Sequence, residues 1–226
     1  LQLRLSNRYS SLPVTLDSVY TAREAKPGEP AMVPGTECLL RFNGQTRVTI
    51  PAGETVVSDL MAYPIRAFER VGISFYAPAF TPQLTRHLNA NEVLYMSLPG
   101  DHAADPEGSA FIAVPDGYAA NFLIIEALEV AAPQSVSTLV AVGDSITDGS
   151  GSTTEFLDGG ASPLLSTDQR YPNHLQRRLL EAGMPISVAN AGIGGSELLS
   201  DAWLPQFGRS LLDLSLIHIS EPTRPL

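Results

Sequence analysis

The sequence has very little cysteine and very little lysine. It contains one cysteine, Cys38, which excludes an internal disulfide and a cysteine-based zinc site. Lys26 is its single lysine, and 24 acidic residues against 14 basic ones give a formal net charge of -10. An acidic chain without a basic cluster is poorly suited to binding nucleic acid or an anionic membrane. The composition therefore predicts neither a cysteine-bound metal nor a nucleic-acid partner.

Long apolar runs are also missing. No run approaches the roughly 18 consecutive apolar residues of a membrane-spanning helix, so the sequence predicts no transmembrane segment. The 226 residues are 44% hydrophobic, a proportion typical of a globular protein with a core. This length fits one large domain or two smaller ones.

Both ends of the chain indicate that native sequence is missing. Leu1, Leu3 and Leu5 alternate with polar residues from the first position, and neither an initiator Met nor a signal peptide is recognisable. At the other end, residues Leu214 to Arg224 resemble the translation of a transposon-end adapter used in sequencing libraries. We therefore treat residues 214–226 as a non-native tail and expect the gene to diverge near Asp213.

Residues 1–132 have the pattern of an antiparallel β-sandwich domain, because short β-branched and aromatic runs alternate with turn residues. Asn43-Gly44 predicts a tight hairpin turn. Phe122–Val130 is the longest of these runs and is apolar on both sides, which predicts a central strand. The predicted strands are Val14–Tyr20, Glu37–Phe42, Thr46–Ile50, Val71–Tyr76 and Phe122–Val130.

The pattern changes after a linker at residues 131–135. Thr138–Val142 predicts a buried parallel strand that ends at Gly143. A helix follows, with Pro172 in its first turn and Gly183 at its end, and Ile186–Ala189 predicts a second strand. Strand, helix and strand in this order indicate a parallel α/β sheet that begins near residue 137.

Ser145 lies directly after the first parallel strand, within the string Gly143 to Gly149. Ligands bind beyond the carboxyl ends of strands in open α/β sheets, so this serine is a candidate nucleophile. A structural strand-ending turn is the alternative interpretation. The glycine spacings do not fit a phosphate-binding P-loop, a dinucleotide fingerprint or the complete nucleophile elbow of α/β-hydrolases.

The string Val142-Gly143-Asp144-Ser145-Ile146-Thr147-Asp148-Gly149 resembles the first block of the SGNH (GDSL-type) hydrolases. The string from Asn190 to Gly195 resembles their second block. The resemblance covers residues 137–213 and implies the front part of a flavodoxin-like α/β hydrolase domain with a parallel sheet, here truncated. The preceding β-rich region resembles the sandwich domain of some bacterial members.

The resemblance implies a role for each matching position. Ser145 would be the nucleophile, and its N–H one donor of the oxyanion hole. Gly195 would supply a second N–H donor, whereas Gly192 and Gly194 would serve the turn. Asp144 would be structural, tying down the loop. The family uses neither a metal nor another cofactor in this reaction, and it favours a secreted or periplasmic location.

The remaining blocks of the family are not found in this sequence. A Gly-x-Asn-Asp segment and an Asp-x-x-His segment are missing, and none of the four histidines is a credible base. His87 and His102 fall in the β-rich region, His174 in the first helical turn and His218 in the adapter-like tail. Because a serine without a base keeps little of its rate, the chain as written should be nearly inactive.

We therefore expect a serine esterase that hydrolyses carbohydrate or lipid-like acyl esters through an acyl-enzyme on Ser145. Two alternatives stay open: a non-catalytic carbohydrate-binding or adhesion protein with a degenerate α/β remnant, and a nucleotide-binding protein, which the failed fingerprints disfavour. The sequence gives neither the acyl group, the alcohol nor the oligomeric state.

Overall fold

The computed structural model describes residues 1–79, 83–87, 90–114, 122–152 and 166–197. It divides into two compact units. Unit 1 comprises the described residues of Leu1–Ala132 and Leu165–Thr167, and unit 2 those of Pro133–Leu164 and Asp168–Leu226. His218 and the adapter-like tail lie outside the described residues.

Strands dominate unit 1, whereas unit 2 contains both helices of the described part of the chain. Neither of these helices has the length and the hydropathy needed to cross a membrane. The elements of unit 1 are β1 (Gln2–Ser6), β2 (Val14–Leu16), β3 (Ser18–Arg23), β4 (Cys38–Leu39), β5 (Val48–Ile50), β6 (Thr55–Val57), β7 (Val71–Tyr76), β8 (Arg86–His87), β9 (Tyr95–Ser97), β10 (Phe111–Ala113), β11 (Phe122–Leu123) and β12 (Ile125–Glu129). Those of unit 2 are β13 (Ser137–Gly143), α1 (Ser145–Asp148), α2 (Tyr171–Glu181) and β14 (Ile186–Gly192).

All strand pairs of unit 1 within the described ranges are antiparallel. They form two three-stranded sheets, in the orders β12-β1-β6 and β4-β3-β7. Three two-stranded sheets pair β2 with β5, β9 with β10 and β8 with β11. The prediction of a β-rich, antiparallel amino-terminal region is therefore confirmed.

One hydrophobic core joins the larger sheets of unit 1. Leu3 and Leu5 of β1 are fully buried, while Gln2 and Arg4 between them are partly exposed, as the alternation in the sequence predicts. Side chains from β2, β3 and β5 pack into the same cluster. Its buried members are Leu3, Leu5, Val14, Leu16, Val19, Leu40, Phe42, Val48, Ile50 and Ile124.

The predicted central strand over Phe122–Val130 is wrong in two respects. Ile124 interrupts it with a positive φ of 53°, so that β11 pairs with β8 whereas β12 pairs with β1. The Ile124 N–H donates to Thr85 O at 2.8 Å, and its carbonyl accepts from Ser6 N at 2.7 Å. These bonds fix the crossing from one sheet to another, and β12 lies at the edge of its three-stranded sheet.

A similar change of partner divides the predicted strand Val14–Tyr20. Its first part, β2, pairs with β5, and its second part belongs to β3, which pairs with β7. Asp17 lies between the two parts, and its N–H donates to Tyr76 O at 3.0 Å. Propensity favours an extended chain on both sides of Asp17 but does not specify which neighbour each part selects.

The Asn43-Gly44 turn is present, but the hairpin predicted around it is not. Both residues have a positive φ, 52° and 78°, and Phe42 and Gln45 exchange backbone hydrogen bonds of 2.8 and 3.1 Å. Beyond this single bridge the flanking strands separate, since β4 pairs with β3 and β5 with β2. The Asn43-Gly44 dipeptide therefore determines the turn, but it does not determine which strands pair on either side of it.

Unit 2 contains the predicted strand, helix and strand. The two strands run parallel in an unbroken register from Ser137 opposite Ile186 to Gly143 opposite Gly192. Pro172 lies in the first turn of α2, and Gly183 follows its end with a φ of 65°. The Gln176 amide donates to Ile186 O at 3.1 Å and accepts from Val188 N at 2.6 Å, which satisfies backbone groups of β14.

The prediction that the first parallel strand is buried is wrong for the described structure. Leu139, Val140 and Val142 of β13 keep 41%, 54% and 49% of their surface exposed. Among the described elements, β13 has one hydrogen-bonded neighbour, β14, and α2 packs against β14. A parallel strand becomes buried only when elements cover both of its faces.

Candidate active site

The carboxyl ends of β13 and β14 lie side by side and carry a short helix. Gly143 and Gly192 are register partners at these ends. A Cβ on Gly143 would lie 2.0 Å from Thr147 Oγ1, and one on Gly192 would lie 2.2 Å from Asp148 N. Because real Cβ atoms do not approach so closely, glycine at both strand ends is what allows α1 to pack directly on them.

Ser145 is the first residue of α1. The Asp144 side chain caps the helix, since its Oδ1 accepts from Ile146 N at 2.9 Å. Gly149 ends the helix with a φ of 111°, and its N–H donates to Ser145 O at 2.9 Å. The structural role that we predicted for Asp144 is confirmed by this cap.

Two polar groups of Ser145, its hydroxyl and its N–H, are not used by the described part of the fold. Ser145 is half-buried, and neither its hydroxyl nor its N–H forms a hydrogen bond with another described residue. The carbonyl of Ser145, in contrast, accepts from both Gly149 N and Ser150 N. A hydroxyl and an N–H that are left without partners beside a strand end remain free to contact a bound molecule.

A tight turn follows β14 and lies beside Ser145. Ile193 N donates to Gly143 O at 3.0 Å, and Ser196 N donates to Ile193 O at 3.1 Å. A Cβ on Gly194 would lie 3.9 Å from Ser145 Cβ, which is ordinary van der Waals contact. The residues of the two sequence blocks are therefore neighbours in space.

The three glycines of this turn differ in what their N–H groups do. Gly192 N donates to Asn190 Oδ1 at 2.9 Å, and Gly194 N donates to Asp148 Oδ2 at 3.2 Å. Gly195 has a φ of 81°, and its N–H forms no hydrogen bond within the described residues. Gly195 is thus the glycine of the turn whose donor is still available.

Two side chains that the sequence analysis did not assign hold α1 against its surroundings. Asn190 Nδ2 donates to Thr147 O at 2.8 Å, and Arg170 Nε donates to Asp148 O at 2.6 Å. Each of these side chains donates to a carbonyl at the end of α1, which has no N–H donor within so short a helix. Asn190 opens the second-block string, so its position was a usable signal, whereas Arg170 has no such signal.

The sequence analysis also assigned no role to Asp148, although this residue lies inside the first-block string. Its side chain is buried, with 3% of the residue exposed, and it reaches the turn after β14 through Gly194 N. The hydroxyls of Thr147 and Tyr171, 3.1 Å apart, add a contact between α1 and the start of α2. Polar groups therefore surround the helix that carries Ser145.

Three histidines lie in the described residues, one in unit 2 and two in unit 1. His174 is exposed on α2, and His87 is exposed on β8 of unit 1. The imidazole of His102 lies near Gly100, within a turn of unit 1. No group of three or more His, Cys, Asp and Glu side chains within the described ranges is arranged to hold a metal ion.

Comparison with known proteins gives no match for this chain: no protein-family model fits it, and no curated protein is significantly similar to it. The geometry therefore stands on its own. It comprises a serine at the end of a parallel strand, beside a glycine turn, and the described residues provide no partner for the serine hydroxyl, the serine N–H or one N–H of the turn.

Proposed function

We propose that this protein is a serine ester hydrolase of the SGNH type, with Ser145 as the nucleophile. The observation that supports this most strongly is the state of the polar groups at the ends of β13 and β14. Asn190, Asp148 and Gly194 are engaged in holding α1 and the following turn, while the Ser145 hydroxyl and the N–H groups of Ser145 and Gly195 have no partner among the described residues.

The proposed reaction is acyl transfer. The Ser145 hydroxyl attacks the carbonyl carbon of an ester, and the carbonyl oxygen becomes an oxyanion that the N–H groups of Ser145 and Gly195 stabilise. The bond to the alcohol then breaks, the alcohol leaves with a proton, and an acyl-enzyme remains until water hydrolyses it. Carbohydrate esters and lipid-like esters are the proposed substrates.

The base of this reaction lies outside the described residues. His174 forms no hydrogen bond with Ser145, so we infer that the imidazole and its carboxylate are supplied by residues outside the described ranges. In the same proposal, unit 2 is the front part of a flavodoxin-like hydrolase domain, and unit 1 is a β-sandwich domain that precedes it. The shared core of the antiparallel sheets supports the second assignment.

Replacing Ser145 by cysteine tests the proposal without a base, because a thiolate attacks an activated ester unaided. The variant is Ser145→Cys in a Cys38→Ser background, and the probe is p-nitrophenyl acetate. The sulfur forms a thioester with the acetyl carbon, and the bond to p-nitrophenolate breaks, which releases the coloured ion. The matched control is Ser150→Cys, since Ser150 is also half-buried and lies just beyond the other end of α1.

We expect the thiolate of Ser145→Cys to react about 10²-fold faster than that of Ser150→Cys, because one oxyanion donor typically contributes a factor of this order. The rate is measured as a burst of p-nitrophenolate over a range of pH, so that the two thiolates are compared at equal ionisation. Equal rate constants for the two thiolates would contradict the proposal.

A further inference from the structure

We propose that Asp148 is a positioning residue, whose carboxylate holds the turn after β14 so that the Gly195 N–H is directed at the acyl group on Ser145. This inference rests on the proposed function and adds a residue to it. Asp148 does not touch the reacting atoms in this account. It acts on them through Gly194 and Gly195.

The carboxylate of Asp148 lies where it can connect the nucleophile to the turn. Ser145 and Asp148 are the first and last residues of α1, and residues three apart on a helix share a face. Asp148 Oδ2 accepts from Gly194 N at 3.2 Å, and a Cβ on Gly194 would lie 3.6 Å from the same oxygen. The residue is 3% exposed, so water does not compete strongly for this bond.

Asp148 is itself held firmly enough to serve as an anchor. Its N–H donates to Asp144 O at 2.9 Å, and its carbonyl accepts from Arg170 Nε at 2.6 Å. The preceding carbonyl, that of Thr147, accepts from Asn190 Nδ2 at 2.8 Å. The backbone of Asp148 is thus tied to α1, to the start of α2 and to β14.

Without Asp148, the turn would keep an anchor at its start only. Ile193 N donates to Gly143 O, which fixes the turn where it leaves β14. Gly194 and Gly195 have no side chains to restrict their backbone, and glycine is the residue with the greatest conformational freedom. The bond from Gly194 N to Asp148 restricts the peptide group between Ile193 and Gly194, which directly precedes the peptide group that carries the Gly195 N–H.

The bond also determines which N–H can face a substrate. Asp148 occupies the Gly194 donor, and Asn190 occupies the Gly192 donor. Gly195 keeps its N–H without a partner among the described residues. The buried carboxylate therefore selects Gly195 as the donor by engaging the neighbouring one.

Two substitutions separate the acceptor oxygen of Asp148 from its charge. Asp148→Asn and Asp148→Ala both remove a negative charge, but Asp148→Asn keeps an amide oxygen that can accept from Gly194 N. A difference between the two variants therefore reports the side-chain amide with its acceptor oxygen and not the charge, and the strand-ladder amides described below detect a general loss of packing. Both are made in the full chain, once alone and once together with Ser145→Cys and Cys38→Ser.

The first readout is hydrogen exchange of the Gly194 amide, measured by NMR. We expect exchange to be at least about 10-fold faster in Asp148→Ala than in Asp148→Asn, because the amide loses its acceptor. Amides in the ladder between β13 and β14 serve as the internal control, and their unchanged protection in both variants shows that unit 2 remains folded. Equal protection of Gly194 in the two variants would overturn the proposal.

The second readout is the acylation rate of the Ser145→Cys thiolate by p-nitrophenyl acetate, which a merely structural role would not change. We expect this rate constant to be about 10-fold lower with Asp148→Ala than with Asp148→Asn. Faster Gly194 exchange with equal acylation rates would mean that Asp148 only stabilises the fold, and the proposal would fail.

The proposal that the protein is an esterase is tested by a separate comparison. It fails if Ser145→Cys reacts no faster than Ser150→Cys while Asp148 is unchanged. In that case the exchange of Gly194 still decides whether Asp148 holds the turn.

Discussion

The two units of this protein differ, within the described residues, in how much aliphatic surface they bury. In unit 1 the fully buried residues are mainly aliphatic, such as Leu3, Leu5 and Ile50. In unit 2 the aliphatic residues of β13 are largely exposed, while Thr147 and Asp148 are buried at the end of the sheet. Apolar burial stabilises a fold without fixing directions, whereas buried polar groups with defined partners fix the direction of each bond.

Both units contain bonds between side chains and backbone groups, such as the bond of 3.1 Å from Asn7 Nδ2 to Ile50 O in unit 1. Most ion pairs of unit 1 within the described ranges join side chains near the surface, such as Arg23 with Glu69 and Lys26 with Glu29. In unit 2 the polar contacts around α1 connect side chains to backbone groups, as from Asn190 to Thr147 O. Within the described residues, a large apolar core is therefore found in unit 1, and a dense set of polar contacts surrounds α1 in unit 2.

The largest expected effect is the loss of apolar burial in unit 1. Leu5→Ala should lower the free energy of unfolding of unit 1 by about 3 kcal/mol, because Leu5 is 0% exposed and its removal leaves a cavity. The matched change in unit 2, Leu139→Ala, should cost its unit about 1 kcal/mol or less, since Leu139 is 41% exposed.

Urea titration followed by the amide signals of each unit measures both values. Equal losses for Leu5→Ala and Leu139→Ala would remove the distinction between the two units.

The next effect concerns the glycine under α1. Gly192→Ala should destabilise unit 2 by about 2 kcal/mol, because the new Cβ would lie 2.2 Å from the backbone nitrogen of Asp148 and α1 would have to move. Gly194→Ala is the control two residues away. Its Cβ would meet nothing closer than 3.6 Å, so we expect a change within about 0.5 kcal/mol.

Urea titration followed by the amide signals of unit 2 measures the change in stability for both variants. If Gly192→Ala lowers the stability of unit 2 no more than Gly194→Ala does, α1 does not pack on the strand ends as described.

The smallest effect is electrostatic and belongs to the surface of unit 1. The hydrogen bond from Arg23 holds the pKa of Glu69 below its ordinary value, although burial opposes the shift. A carboxylate with a lowered pKa in the folded state contributes stability above its unfolded pKa, and this contribution is lost as the pH falls through the folded pKa. Because Arg23 is exposed to water, which screens the pair, the contribution is small.

Arg23→Gln should therefore raise the pKa of Glu69, as followed by an NMR titration of its carboxyl carbon. Arg47→Gln is the control, since Arg47 pairs with Asp17 instead. A pKa of Glu69 that is the same in wild type and in Arg23→Gln would show that the ion pair does not form in solution.

Local patterns predict the parts of the fold that depend on neighbouring residues. The alternation of Leu3 and Leu5, the Asn43-Gly44 turn and the end of α2 before Gly183 are all present. Partner choice was not predictable, because Ile124 changes sheets through bonds to Thr85 and Ser6, which are distant in sequence. Long-range pairing is decided by packing and not by propensity.

The residues of the candidate site also differ in whether a local motif or long-range pairing identifies them. Ser145 and Gly195 were chosen from local motifs, and the structure brings their loops together. Asp148 was passed over, because its partner on Gly194 becomes visible only when the parallel register sets Gly143 opposite Gly192. A sequence motif identifies the reacting residue more readily than the residues that position it.

The reactivity of Ser145 in the native gene product tests the central claim most directly. The measurement is labelling with an organophosphonate probe, followed by digestion and peptide mapping, with Ser145→Ala as the control. The account predicts label on the peptide that contains Ser145 and none in the Ser145→Ala variant. Label on a different serine that persists undiminished in Ser145→Ala would contradict it.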